Sequence, residues 1–270
     1  MELYNDDCLK VMKEFESNSI DLLFCDLPYG QTSCKWDCLI DLDEFWKQVN
    51  RICKDTTPMF FTCSTKFGVS LINSNPKNFR YDLVWVKSAP CGFLNAKKMP
   101  MKKHEMVYVF YKKLPLYDLS SHTHKFSKER TSEKNGLYGG DVDKKVMEGR
   151  YDPPLPTSVV KEESYITTTL YSDKKGKPRQ VYRAEEGKYV PPLPNSILEV
   201  ASEKGKHATQ KPVGLIEWCL KYYSKEGDKV LDPTMGSGST GIACKNMNRH
   251  FIGIEMDKEI YDIAVERLNK

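Results

Sequence analysis

Two short stretches carry residue types that can do chemistry together. In "DLPYG" a carboxylate (Asp26), a backbone carbonyl (Leu27), a stiff turn residue (Pro28) and a flat ring (Tyr29) fall within five residues, directly after the apolar run "IDLLFC". A turn alone needs only the proline and the glycine. A carboxylate and a carbonyl side by side can accept both hydrogens of an amino group, and a tyrosine ring gives a planar base something to stack on. The stretch reads as a clamp for an exocyclic amino group.

The second stretch, "LDPTMGSGST", sets Gly236 and Gly238 ahead of a helix, and Glu255 ends the following strand 19 residues beyond Gly236. In nucleotide-binding α/β units the glycines let the backbone approach a ligand, and an acid at the end of the second strand accepts hydrogen bonds from ribose hydroxyls. Gly241 completes the spacing G-x-G-x-x-G, so a dinucleotide such as NAD competes on spacing alone. Asp232-Pro233 at the loop head puts negative charge where a pyrophosphate would sit, which favours a cationic nucleoside, S-adenosylmethionine. A tight turn without a ligand is the bland alternative.

Both stretches need a scaffold that ends strands at one edge. "IDLLFCD" and "PMFFTC" read as strands buried on both faces, "DCLKVMKEF" and "LDEFWKQVNRIC" as amphipathic helices, and "YDLVWVK" and "HEMVYVFYK" as β-branched, aromatic strands. "KPVGLIEWCLKYYSKEG" is a helix with Pro212 in its first turn and Gly227 as a stop signal, followed by strand, glycine loop, helix and strand, with "EIYDIAVERLN" as a closing helix. This alternation predicts an α/β fold with a mostly parallel sheet. Residues 114–194 differ: polar, with aromatics lacking a period and a single echo, "YDPPLP" and "YVPPLP". That length is too great for a structureless loop and predicts an inserted subdomain. Asp152-Pro153-Pro154 looks like a second copy of the clamp, but Leu155 cannot stack and no apolar strand precedes it.

With 270 residues, 40% hydrophobic and 29% charged, the chain suits one large domain with an insertion, or two modest ones. No apolar run long enough for a bilayer and no secretory pattern at "MELYNDDCLK" predict a cytosolic or nuclear protein. The nine cysteines include no C-x-x-C pair and are read as reduced thiols, with Cys25, Cys53, Cys63 and Cys244 inside apolar stretches. Cys34, Cys38 and His104, or His122 with His124, fit no standard zinc spacing, so no metal is expected. The net charge of +4 is mild. Between residues 87 and 113, however, seven lysines (87, 97, 98, 102, 103, 112, 113) face one acid, Glu105, with aromatics interleaved. That stretch is either a solvated face or a phosphate-contacting surface; on the second reading Lys87, Lys97, Lys98, Lys102 and Lys103 bind DNA.

Taken together, "DLPYG", "HATQKP" at 207–212, "LDPTMGSGST" and "FIGIEMD", supported by "NDDCLKVM" and "HEMVYVFYK", resemble the β class of amino-directed DNA methyltransferases, in which the D-P-P-Y type motif precedes the glycine-rich one. The resemblance covers roughly residues 1–113 and 195–270. It implies a Rossmann-like S-adenosylmethionine-dependent methyltransferase sheet carrying an inserted target-recognition region at 114–194. It implies that a base flipped from double-stranded DNA is held by Asp26, Leu27, Pro28 and Tyr29 and methylated on adenine N6. The cofactor would lie among Asp7, Asp26, Asp232, Pro233, Gly236, Gly238, Ser239, Thr240 and Glu255, with Gln210 and Lys211 near its methionyl end. Leu27 and Ala208 stand where the family usually has proline. Asp in the first motif position favours adenine over cytosine N4. An RNA-adenine methyltransferase and a silent nucleic-acid-binding module are the competing readings; target site, homodimer and restriction endonuclease partner stay open.

Overall fold

The computed structural model describes residues 1–30, 38–91, 98, 101–121, 123–124, 151–152, 159–160 and 210–270. Its strands are β1 (Glu2–Tyr4), β2 (Leu22–Cys25), β3 (Met59–Cys63), β4 (Phe79–Cys91), β5 (Lys102–Phe110), the two-residue β6 (Thr123–His124), β7 (Tyr151–Asp152) and β8 (Val159–Val160), β9 (Lys229–Asp232) and β10 (His250–Ile254). The helices are α1 (Cys8–Val11), α2 (Leu42–Ile52), α3 (Thr65–Ser74), α4 (Val213–Tyr223), α5 (Ser239–Asn246) and α6 (Lys258–Leu268).

One sheet runs in the order β1-β10-β9-β2-β3-β5-β4-β8, and β6 pairs with β7 apart from it. The first five strands are parallel and β5 runs antiparallel to both its neighbours. Side chains alternate across the pleat. Leu22 and Phe24 accordingly enter a core under α4, α5 and α6, while Leu23 and Cys25 enter a second core under α1, α2 and α3. Both faces are covered, which is why "LLFC" and "MFFTC" are buried at every position.

Helix starts follow side-chain capping. The carboxylates of Asp7, Asp41 and Asp257 and the hydroxyl of Ser64 accept backbone N–H bonds at the first turns of α1, α2, α6 and α3. Pro212 lies one residue before the α4 helix rather than inside it, and Gly227, at φ +83°, sits in the turn beyond. β1 and α3 carry no clear mark in the sequence. In α3, Gly68 lowers helix propensity; a Cβ there would lie 2.2 Å from the Tyr108 ring, so only glycine lets the helix lie this close to β5.

From β2 the chain moves outward to β3, and from β9 it moves the opposite way to β10. The reversal falls between β9 and β2. In open α/β sheets ligands bind outside the carboxyl ends of the strands at such a switch point. Residues 114–121 belong with this body: the Asp118 amide donates to the Tyr222 carbonyl at 2.7 Å, and Tyr117 packs on Tyr222 and Tyr223. The rest of the expected insertion lies outside the described residues, apart from the short strands β6 to β8.

Candidate active site

Four carboxylates sit beyond the carboxyl ends of neighbouring strands: Asp7 after β1, Glu255 after β10, Asp232 at the end of β9 and Asp26 after β2. The two motif loops therefore start side by side at the switch point. A hydroxyl ties them together, with Thr234 Oγ1 donating to the Asp26 carbonyl at 3.0 Å.

Asp26 is held from three sides. Its Oδ1 accepts from the Tyr29 hydroxyl at 2.6 Å and the Thr62 hydroxyl at 2.7 Å, while Oδ2 pairs with the Lys211 ammonium. The Tyr29 hydroxyl also lies 2.9 Å from the Thr62 carbonyl oxygen, and Phe67 packs on its ring at 5.3 Å. Burial and the Asp26 carboxylate push the Tyr29 phenol far above its usual range, so it stays a donor. The Leu27 side chain is buried, and its carbonyl takes no hydrogen bond among the described residues. Burial works against the Lys211 ammonium, but the carboxylates of Asp26 and Glu105 outweigh it and raise its pKa.

The glycine loop is built from the opposite side. Asp232 accepts from the Thr240 hydroxyl at 2.5 Å and the Thr234 amide at 3.2 Å. Burial lifts its carboxyl to about 7, with Asp26 and Glu255 adding to the rise and the two hydrogen bonds opposing it. The fixed negative charge expected at the loop head is thus partly neutralised near neutral pH. Glu255 accepts from the Gly236 amide at 3.1 Å and the Asp257 amide at 2.8 Å, and burial raises its pKa. Each of its oxygens keeps a lone pair for a further donor such as a ribose hydroxyl.

Which loop positions face a ligand differs from the sequence expectation. Pro233, Gly238, Ser239 and Thr240 are buried. Thr240 serves Asp232, Ser239 receives Arg267, and a Cβ on Gly238 would press on Leu268 at 3.2 Å. Thr234, Gly236 and Ser237 are the partly open positions. Gly236, at φ +52°, has nothing within 4 Å of a would-be Cβ, a space that a nucleoside can fill. The residues present therefore fit a ribose-bearing ligand lying over Gly236 with Glu255 at its hydroxyls.

Asp7 caps α1 through the Leu9 amide at 2.8 Å. Burial raises the pKa of the neighbouring Cys8 thiol, and the carboxylates of Asp7 and Glu255 add to the rise. Gln210 is half-buried one residue before Lys211. Lys211 itself stands at the Asp26 end of the site, on the clamp.

Lys87 differs from the exposed lysines of the basic stretch: its side chain is 14% exposed and pairs with Glu105, with Nζ over the Trp85 ring. It lies on the same face of the strand as the buried Trp85, two residues before it. Lys98 and Lys102 are exposed and Lys103 is half-exposed; Lys97 lies outside the described residues. Because Cys63 pairs with Met106, residues 102–105 of β5 run past the carboxyl end of β3, on the same edge as Asp26. Among the described residues no cluster could hold a metal ion, and no helix is long and apolar enough to cross a membrane. Cys34, His122 and His207 lie outside them or carry no described side chain. Cys38 is exposed, and Cys25, Cys53, Cys63 and Cys244 are buried free thiols.

Two residues of the site were not singled out in the sequence. Thr62 is the lone polar side chain of the fully buried "MFFTC", and Glu105 is the lone acid among seven lysines. Both departures from pattern were visible signals.

Comparison with known proteins agrees with this geometry. A family model described as DNA methylase (N6_N4_Mtase) matches residues 20–266. The type II methyltransferase M2.LlaDCHI of Lactococcus lactis subsp. cremoris is 51% identical over 71 residues, which is 26% of this chain and 26% of that protein. The matched part thus spans about a quarter of that relative's length. Among solved structures, the M1.HpyAVI–SAM complex superposes with a TM-score of 0.58 at 23% identity, covering 99% of both chains. The cytosine-N4-specific PvuII DNA methyltransferase superposes with a TM-score of 0.60 at 17% identity, over 98% of this chain and 85% of that one. With its clamp and glycine loop meeting at the switch point of a sheet of this kind, the chain belongs to the N6_N4 DNA methylase family.

Proposed function

We propose that this protein transfers a methyl group from S-adenosylmethionine to the N6 amino group of adenine in double-stranded DNA. The observation that carries this reading is the junction of Asp26, Tyr29 and the glycine loop at the switch point, tied by Thr234. When bound, S-adenosylmethionine supplies an electrophilic methyl group on a sulfonium.

The amino nitrogen of adenine is a weak nucleophile because its lone pair is delocalised into the ring. Asp26 and the Leu27 carbonyl accept its hydrogens, and they stabilise the positive charge that nitrogen gains as it attacks. Thr62 and Tyr29 hold the carboxylate in place before the base arrives, so little reorganisation remains for the reacting moment. The base itself has to leave the duplex to reach this edge. Lys102 and Lys103 stand on that edge and, with the exposed Lys98, supply phosphate contacts. Adenine is favoured over cytosine by the resemblance: Asp26 stands at the motif position where cytosine-N4 members usually carry Ser.

Residues 114–194 read the target sequence on this proposal. The clamp and glycine loop engage groups that every adenine and every cofactor molecule share, so discrimination falls to side chains that reach base edges. Nucleoside analysis of DNA from a host expressing the protein, mapped to sequence context, tests the whole reading. N6-methyladenine at a defined site is the expected result; N4-methylcytosine, or methylation confined to RNA, overturns the substrate assignment.

A further inference from the structure

Taking the proposed methyl transfer as its basis, the geometry around Asp26 poses a problem. Oδ1 accepts from Thr62 and Tyr29 and Oδ2 is paired with Lys211, so an incoming amino group finds one lone pair on Oδ2 but a carboxylate whose charge the ammonium already neutralises. Thr62 and Tyr29 are fixed by strand and ring packing. Lys211 is the partner with a reason to leave. Its side chain is 13% exposed, and a charged ammonium this buried moves only toward another anion.

One such anion stands next to it. Glu105 Oε2 is 3.9 Å from the Lys211 Nζ, is buried, and accepts no hydrogen bond in this state. A buried carboxylate oxygen left without a donor is rare and calls for an explanation. The other Glu105 oxygen is held by Lys87, which anchors the side chain and keeps its second oxygen turned toward Lys211.

We propose that Glu105 is a positioning residue that gives the Lys211 ammonium a second seat: when the amino group of a base enters, Nζ swings from Asp26 Oδ2 to Glu105 Oε2. The swing gives the carboxylate's full charge to the nitrogen that turns cationic and leaves neither the ammonium nor Glu105 unpaired. In the substrate-free state Lys211 keeps the clamp shut. Lys87 and Glu105 are then the fixed side of a three-charge relay, and Lys211 is its moving part.

Two experiments test this, one of them independent of catalysis. In a crystal structure of Asp26→Asn, the lost charge at position 26 should send the Lys211 Nζ to about 3 Å from Glu105 Oε2; a lysine that stays at position 26 or turns to solvent overturns the relay. In kinetics, Glu105→Gln should lower kcat about tenfold or more, with the S-adenosylmethionine Kd unchanged within about twofold, and the loss should largely vanish in a Lys211→Met background. A Glu105→Gln effect of equal size in both backgrounds, or one that appears as lost cofactor affinity, means Glu105 acts otherwise and sinks the proposal. If the wild-type protein methylates no DNA, the functional reading fails by itself, and the Asp26→Asn structure still decides whether Lys211 moves to Glu105.

Discussion

Thr62 and Tyr29 can donate to an amide oxygen as well as to a carboxylate, so Asp26→Asn keeps the clamp's shape while removing the charge that stabilises a cationic nitrogen. Single-turnover methyl transfer should fall by at least about a hundredfold, with S-adenosylmethionine affinity kept within about tenfold; a variant above a tenth of wild-type turnover would remove Asp26 from the chemistry. The glycines separate differently. Gly236 and Gly238 both have positive φ, so any side chain there costs about 1 to 2 kcal/mol in backbone strain. Only at Gly236 does the new side chain enter open space over the ligand, so Gly236→Val should raise the cofactor Kd at least about tenfold. Gly238→Val presses on Leu268 and should show mainly as a lower Tm. Calorimetry on the pair checks the split. Asp232 adds a pH signature. Its carboxyl ionises near 3.8 when unfolded and near 7 when folded, so the folded state holds the extra proton between those values. The stability this gives is full below the lower value and is lost as pH rises through the upper one. Asp232→Asn escapes that loss, so its Tm relative to wild type should be higher at about pH 8 than at about pH 5. A difference that does not change with pH would mean that Asp232 does not titrate there.

At the level of elements, the antiparallel arm of β4 and β5 sets how far each lysine of the basic stretch is exposed. Lys98→Ala and Lys102→Ala should each reduce the salt dependence of DNA binding by about one unit of slope, whereas Lys87→Ala should leave the slope alone and disturb Glu105. Equal slopes for all three would return Lys87 to the surface face. This is also where reading from sequence reaches its limit. Asp26, Tyr29, Gly236 and Glu255 were legible because each motif is contiguous and ends a strand whose apolar run is plain. Thr62 meets Asp26 from β3 and Glu105 meets Lys211 from β5; each stands out within its own run, but nothing local tells which distant residue it meets. The inward turn of Lys87 was hidden for the same reason. A charge count sums over a pleat whose alternate positions face opposite ways. β1 escaped because three residues show no period, and α3 because Gly68 is placed there by the Tyr108 ring.

For the whole molecule, the catalytic body and the reader of sequence should be separable. Residues 114–121 pack on α4, so an exchange is best begun after Ser121. A chimera that carries a relative's residues 122–194 should methylate the relative's site and still require Asp26 and Tyr29; a folded, active chimera that keeps the original site would refute the assignment of that region. The strand order has one more consequence. Among the described residues β1 has β10 as its one neighbour in the sheet, and β2 meets the glycine-loop part through β9. A ribosome that has delivered residues 1–113 has therefore made the clamp without the wall it stands against. The two motif loops can meet only once β9 has been added beside β2, so the order of the strands makes the clamp wait for its wall.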